Sequence, residues 1–396
     1  MGKLGISNQD KIKLEHQKLV YGLFRDGPVY SCTDIARTTG LSNTAAANIV
    51  KAFLAVGLIR PSSVSGKQSK GRPLVLYELN PDFGLVAAVD LTDNDIVICV
   101  SDMKMQIVSR RVIPGCIYIT REILAQIVAL LEKVLQEDGA EFGRYSAICI
   151  GTPGKIDAET GYFAFAPKFV DYKSINLRKI FSEPFADAQI IIKNDVKLAL
   201  MGESYFGSAI KPKNVVYLHI DNNYGGAIKL DGKIFDGEHG YAGEFGSVRV
   251  QEKQKQFRYV SYSISLGGMV YAWESFFRER GDLPEKAKLL TVENFIEQYL
   301  SGDPVVRRIA EEAAEITAIE ILNTATILDI TTFILDGKIK ALGGEYLEKI
   351  RSCIAQYNYI GQDIDVSYSL LQGRAAILGG LRCAIDAVSH ALLSRC

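Results

Sequence analysis

Tyr217-Leu-His-Ile-Asp221-Asn-Asn-Tyr-Gly225-Gly226-Ala-Ile-Lys-Leu-Asp231-Gly232-Lys-Ile-Phe-Asp236-Gly237-Glu-His-Gly240-Tyr-Ala242-Gly243-Glu244-Phe245-Gly246-Ser247-Val248 is the stretch that decides the fold. Its pattern predicts an apolar strand, a turn rich in Asn and Gly, a second strand, a tight Asp231-Gly232 hairpin and then a glycine-dense loop. That loop presents one carboxylate, Glu244. Glycine at such density lets a backbone close around a small polar ligand.

Ala242-Gly243-Glu244-Phe245-Gly246 resembles the A-G-E-x-G-H signature of the ROK family of sugar kinases, open reading frames and repressors. Histidine normally follows the last glycine, and Ser247 stands there instead. The resemblance would next imply a cysteine-rich zinc loop, yet Arg249 to Gly268 contains no Cys, no His, and Glu only at Glu252. The family's loop-closing glutamate is lost as well, its place falling near Ser261 or Tyr262. The reading therefore expects no metal and no cofactor.

Moving outward, 396 residues suit two or three domains, with the apolar and charged fractions of an ordinary globular chain. No uninterrupted apolar run reaches membrane-spanning length and no basic-then-apolar leader opens the sequence, which gives an expectation of a cytoplasmic protein without a membrane partner. Seven scattered cysteines suggest neither a metal knuckle nor a disulfide framework. The net charge of −1 conceals an asymmetry: residues 1–80 carry 11 Lys and Arg against 5 Asp and Glu, and the remainder carries 34 against 41. A basic head on an acidic body is the electrostatic footprint of a nucleic-acid-binding module joined to a larger partner.

The head reads as a helix over Asp10–Asp26, then two helices around Gly40, capped by Ser31 and Ser42. That is a helix-turn-helix whose second helix can enter the major groove. Strand-like runs at 58–60 and 74–79 flank a wing, and the unit resembles the winged helix of ROK repressors, with Gly71-Arg72-Pro73 echoing their GRP motif. Candidate DNA-binding residues are Ser42, Asn43, Thr44, Asn48, Lys51, Lys67, Lys70 and Arg72, the cations serving phosphates or the minor groove. Three alanines at 45–47 leave few direct base contacts. A winged helix that docks a protein is the competing reading of this head.

In the body, three strand-like runs (85–91, 96–102 and 106–112) open an arrangement that resembles actin-like sugar kinases. There the family's D-x-G-G-T phosphate loop has become Asp90-Leu-Thr-Asp93-Asn-Asp95. The second phosphate loop retains one glycine of its register in Asp221-Asn222-Asn223-Tyr224-Gly225-Gly226, and the adenosine-facing cluster has become Asp336-Gly337-Lys338. A carboxylate within about 4 Å of a polyphosphate costs a few kcal/mol, so three such losses argue against bound ATP. The sugar motifs survive in part. Gly154 belongs to a G-x-PG-x-x-D-like loop, Asn194-Asp195 matches the N-D pair whose aspartate is the kinase base, and Pro167-Lys168-Phe169 has lost the family's asparagine.

These readings give a fold class of an N-terminal winged helix-turn-helix followed by an α/β actin-like (ribonuclease H-like/sugar kinase) duplicated two-lobe body. The expected domains are 1–80, a first lobe over 83–205 with helix 381–396 packing back on it, and a second lobe over 206–380. The last helix, 370–393, is expected to be interrupted at Gly379-Gly380. The function implied is a DNA-binding transcriptional regulator, a homodimer or homotetramer on double-stranded DNA, whose body senses a small sugar-like effector without phosphorylating it. Its ligand residues would be Gly154, Asn194, Asp195, Glu244 and Ser247, with none catalytic. An active kinase carrying a DNA-binding head, and a body that only dimerises, remain the alternatives.

Overall fold

The computed structural model describes residues 8–27, 29–62, 75–92, 95–140, 142–251, 257–281, 290–359 and 361–394. Its contacts divide the chain into one unit of residues 1–193 with 380–396 and a second of residues 194–379.

The first unit begins with helices α1 (Asn8–Asp26), α2 (Cys32–Thr39) and α3 (Asn43–Ala55). Ser31 and Asp34 form a reciprocal capping box on α2, and the Ser42 side chain accepts the amide of Ala45 to start α3. Val20, Phe24, Ile35, Ala46, Ile49 and Phe53 close a core in which each is under 9% exposed. Strands β1 (Ile59–Pro61) and β2 (Tyr77–Leu79) pair antiparallel at the base of the wing. The wing's tip, with Lys67, Lys70 and Arg72, lies outside the described residues. Glu78 of β2 joins head to body: it accepts a 2.8 Å hydrogen bond from Arg60 Nε and pairs with Lys104 at 2.5 Å. Burial pushes its carboxyl up, but Lys104 and Arg60 together hold it below the usual range.

The rest of that unit is a sheet ordered β5-β4-β3-β6-β9, formed by β3 (Leu85–Asp90), β4 (Ile96–Ser101), β5 (Ile107–Ile113), β6 (Tyr145–Thr152) and β9 (Gln189–Asn194). β6 is buried along its whole length, as expected of a central strand running parallel to β3. Helix α4 (Arg121–Gln136) covers one face with Leu124, Ile127, Leu131 and Val134. The small hairpin β7 (Lys155–Ile156) and β8 (Phe163–Phe165), followed by α5 (Leu177–Ser182), completes it.

The second unit repeats this plan. After α6 (Asp195–Phe206) come β10 (Val215–Ile220), β11 (Tyr224–Leu230) and β12 (Lys233–Ile234), and later β15 (Thr332–Asp336) and β16 (Asp365–Tyr368). They form a sheet ordered β12-β11-β10-β15-β16, with two antiparallel pairings followed by two parallel ones. The short hairpin β13 (Arg249–Gln251) and β14 (Phe257–Tyr259) stands where the resemblance places the zinc loop. Helices α7 (Ser261–Ile264), α8 (Leu266–Arg280), α9 (Val292–Ser301), α10 (Pro304–Leu328) and α11 (Gly343–Tyr357) build the large core on one face. On the other face α6 packs over Tyr217, Ala227 and Ile334. Both sheets have the same strand order, so the chain is a duplicated actin-like body behind a winged helix-turn-helix.

One expectation is overturned. The last helix, α12 (Ala375–Leu393), is not interrupted at Gly379-Gly380. Gly379 is a close-packing position and not a break: a Cβ there would lie 1.8 Å from the Leu198 carbonyl oxygen. By length and composition α12 could cross a membrane, but most of it is buried and it carries Arg382 and Asp386, so it reads as a core helix.

Buried phenols dominate the titration. Burial raises Tyr145, Tyr217, Tyr224, Tyr346 and Tyr368, and pushes Tyr21 up to about 12. Unfolded tyrosines ionise near pH 10, so above that pH the native state holds more protons than the unfolded chain and stability falls as pH rises. The urea midpoint should be level through about pH 9 and drop steeply above about pH 10. A midpoint unchanged at pH 11 would contradict this.

Candidate functional site

The second unit assembles the site from the first turn of α6 and the loop that follows β12. Asn194 caps α6, its Oδ1 accepting the amide of Lys197 at 3.1 Å. Asp195, 5% exposed, accepts the Val196 amide on Oδ1 at 2.8 Å, so a carboxylate is held at the positive end of a helix. Between them, the two residues present an amide and a carboxylate, which suit paired hydroxyls.

Sequence reasoning missed Lys197, which organises this region. Its side chain is 7% exposed, and Nζ donates to Asp236 Oδ1 at 2.9 Å and to the Gly240 carbonyl at 2.8 Å. The ammonium thereby pins the glycine loop to the helix that carries Asn194 and Asp195. A lysine inside the apolar run Val196–Leu200 was the available signal, since a buried cation must find oxygen partners. Farther along, the Gly226 amide donates to the Gly243 carbonyl at 3.0 Å. Gly243 has φ 94°, and a Cβ there would sit 2.4 Å from the Gly226 carbonyl oxygen. Only glycine lets the loop lie this close to β11, and the next residue is Glu244, half-buried, with Ser247 exposed beyond it. Gly154 belongs to the other unit, at the β6–β7 turn, where a Cβ would meet the Phe165 carbonyl oxygen at 2.5 Å.

The degenerate phosphate stretches are filled by the chain's own groups. In the second unit the Asp336 carboxylate, 4% exposed, accepts the Tyr217 hydroxyl at 2.5 Å and pairs with Lys340 at 3.3 Å. Burial and then the Asp336 charge hold the Tyr217 phenol well above its ordinary range. Lys340 also donates to the Ser369 carbonyl at 2.6 Å, and the Ser369 hydroxyl donates to the fully buried Glu203 at 2.5 Å. Asp221 Oδ2 accepts the Lys338 amide at 3.3 Å. In the first unit Asp90 accepts the amide and hydroxyl of Thr92, while Lys168 donates to the carbonyls of Leu91 and Thr92 at 2.9 and 2.8 Å. Lys168 takes the position of the family's asparagine, and its ammonium caps the loop that wraps phosphate in kinases. Asp93 lies outside the described residues.

On the head, Ser42, Asn43, Thr44, Asn48 and Lys51 are all exposed. Thr44, Asn48 and Lys51, at i, i+4 and i+7, form one face of α3. Of the three alanines, Ala46 is core and Ala47 alone is exposed.

A sequence profile described as the ROK family matches residues 86–385. The chain belongs to the ROK family. Among curated relatives it is similar to the xylose repressor of Caldicellulosiruptor bescii, 26% identical over 96% of this chain and 98% of that protein. Among solved structures it resembles a ROK family transcriptional regulator described as a homolog of the E. coli MLC protein, with TM-score 0.80, 20% identity, and coverage of 98% of this chain and 99% of the other. A ROK hexokinase from Thermus thermophilus shares the body alone, with TM-score 0.63 and 21% identity over 77% of this chain and 99% of that one.

Replacing Lys197 by Met should cost about 1–3 kcal/mol, because the Gly240 carbonyl loses its donor. Urea unfolding measures the loss, and faster proteolysis of the 236–244 loop should accompany it. An unchanged urea midpoint with unchanged proteolysis would show that the pin does not hold the loop.

Proposed function

We propose that the protein is a DNA-binding transcriptional regulator, a repressor, whose body senses a sugar or sugar derivative without phosphorylating it. The observation that carries this is the filling of the phosphate stretches. Asp336 is hydrogen-bonded to Tyr217 and ion-paired with Lys340, and the loop at Asp90 is capped by Lys168. A kinase needs bare amides at such places, ready to receive an anion. Here breaking the Tyr217–Asp336 bond would leave a buried carboxylate short of partners, at a cost of about 1–3 kcal/mol before any phosphate bound.

The sugar motifs, by contrast, keep polar groups of the kind that hydrogen-bond hydroxyls. Asn194 and Asp195 open α6, and Glu244 stands at the end of a pinned loop. Two carboxylates suit the vicinal hydroxyls of a pyranose, and Ser247 supplies part of what histidine would. The relative named as a xylose repressor makes pentoses the first sugars to try. The head would read DNA through Asn43, Thr44, Asn48 and Lys51 of α3, with Ser42, Lys67, Lys70 and Arg72 at phosphates, in an even-numbered oligomer in the cytoplasm.

The deciding experiment selects the operator from genomic fragments and measures release across a panel of pentoses, hexoses and amino sugars. Asp195→Ala and Glu244→Ala should each abolish release while leaving operator affinity unchanged. Lys51→Ala should weaken binding to all sequences alike and lower the salt slope by about one. ATP with any panel sugar should give no turnover. Phosphorylated sugar in the products would instead establish the kinase, and no sugar response with intact operator binding would favour the body that only dimerises.

A further inference from the structure

Within the second unit, α8 and α10 contribute none of the residues assigned above to sugar or DNA, yet a cleft of about 290 Å³ opens between them, with the β14–α7 segment at its margin. Two apolar stripes face each other across it. α8 supplies Met269, Ala272 and Phe276, at i, i+3 and i+7, and α10 supplies Ile309, Ala313 and Ile316, at i, i+4 and i+7. The two alanines keep a slot open where longer side chains would fill it. Arg280 sits over the Phe276 ring at 4.7 Å and steadies that wall. Tyr262 and Tyr271, 55% and 50% exposed, add two more rings to the lining. The volume lies at the small end of the roughly 300–1,000 Å³ of small-molecule sites, so it suits one aromatic ring and a short chain rather than a nucleotide.

The polar groups narrow the choice. Arg258, Glu279, Arg308 and Glu312 line the cleft, two cations against two carboxylates, which matches a ligand of zero net charge. Arg308 Nε lies 3.8 Å from Glu312 Oε1, too far for a hydrogen bond, and both side chains are about two-thirds exposed. Such a pair contributes little to stability, and each member can accept an opposite charge from a ligand. An α-amino acid carries its ammonium and carboxylate on one carbon, at a separation close to that of this pair. It can therefore lie head to tail against it, carboxylate on the guanidinium and ammonium on Glu312. A further group points to a ligand: Ser263, 9% exposed, brings to the lining a buried hydroxyl with no hydrogen-bond partner among the described residues. A buried hydroxyl left unpaired is costly, and a polar atom on the ligand would satisfy it.

We propose that the α8–α10 cleft binds an aromatic α-amino acid, its charged end on Arg308 and Glu312 and its ring in the slot between Ala272 and Ala313. Ser263 favours a ring that carries a hydroxyl or an N–H. The site goes beyond the sugar-sensing reading and does not rest on it, since the cleft shares no residue with Asn194, Asp195 or Glu244.

Calorimetric titration of the full-length protein with L-tyrosine, L-tryptophan and L-phenylalanine tests the site. At least one should bind saturably, and the amine and the acid obtained by deleting its carboxylate or its ammonium should each bind at least about tenfold more weakly. Arg308→Gln and Glu312→Gln should weaken binding at least about tenfold. Ala272→Leu, at an exposed helical position, should abolish it by filling the slot, with the urea midpoint unchanged in all three variants. Absence of saturable binding at millimolar concentration would overturn the proposal, as would equal binding of the charge-deleted analogues or full binding by Ala272→Leu. If no amino acid binds and Ala272→Leu instead alters the sedimentation coefficient, the cleft is a protein interface and the proposal falls.

Discussion

A lysine ammonium taken out of water must be surrounded by oxygen, and the site in the second unit is arranged around that demand. Lys197 meets it with the Asp236 carboxylate and the Gly240 carbonyl, two groups at one end of the glycine loop. The other end of the loop is fixed by the absence of a side chain at Gly243. Between a buried charge and a missing methyl group the path of the backbone that carries Glu244 is set. Desolvating the ammonium is costly, and its two oxygen partners offset that cost while setting the path of the loop.

The same logic governs the stretches that hold nucleotide in kinases of this fold. Among the described residues, the carboxylates and cations at these stretches have partners within their own unit. Asp336 takes Tyr217 and Lys340, Asp221 takes the Lys338 amide, and Lys168 takes two carbonyls of the loop after β3. Such replacements are mutually supporting. Replacing one residue would strand its partner.

Much of the architecture was legible because its signals are local. The Ser31 and Ser42 caps, the apolar run of β6 and the positive-φ pair at Asp231-Gly232 each need only neighbouring residues to be read. What escaped depended on distant partners. Gly379-Gly380 looks like a helix break until Leu198 is seen lying against Gly379. Lys168 looked like a lost asparagine, and Lys197 drew no reading at all, because the carbonyls they serve are 39 to 77 residues away in sequence. For the expected ligand residues, spacing and motif placed Asn194 and Asp195 at a helix start and Glu244 at a glycine turn, and the structure has them there. The force that holds loop and helix together was not written in either motif.

The three alanines that open α3 have a consequence for target choice. One is spent on the core and another is the small exposed step between Thr44 and Asn48. In the proposed regulator a recognition face this sparse specifies few base pairs outright, and each base it leaves unread removes about 1–3 kcal/mol of discrimination against a genome of competitors. Selectivity must then come from how readily a given DNA bends and from the spacing of paired half-sites. Such a regulator would find its sites by their stiffness and symmetry more than by their letters, and could keep an operator through considerable sequence drift.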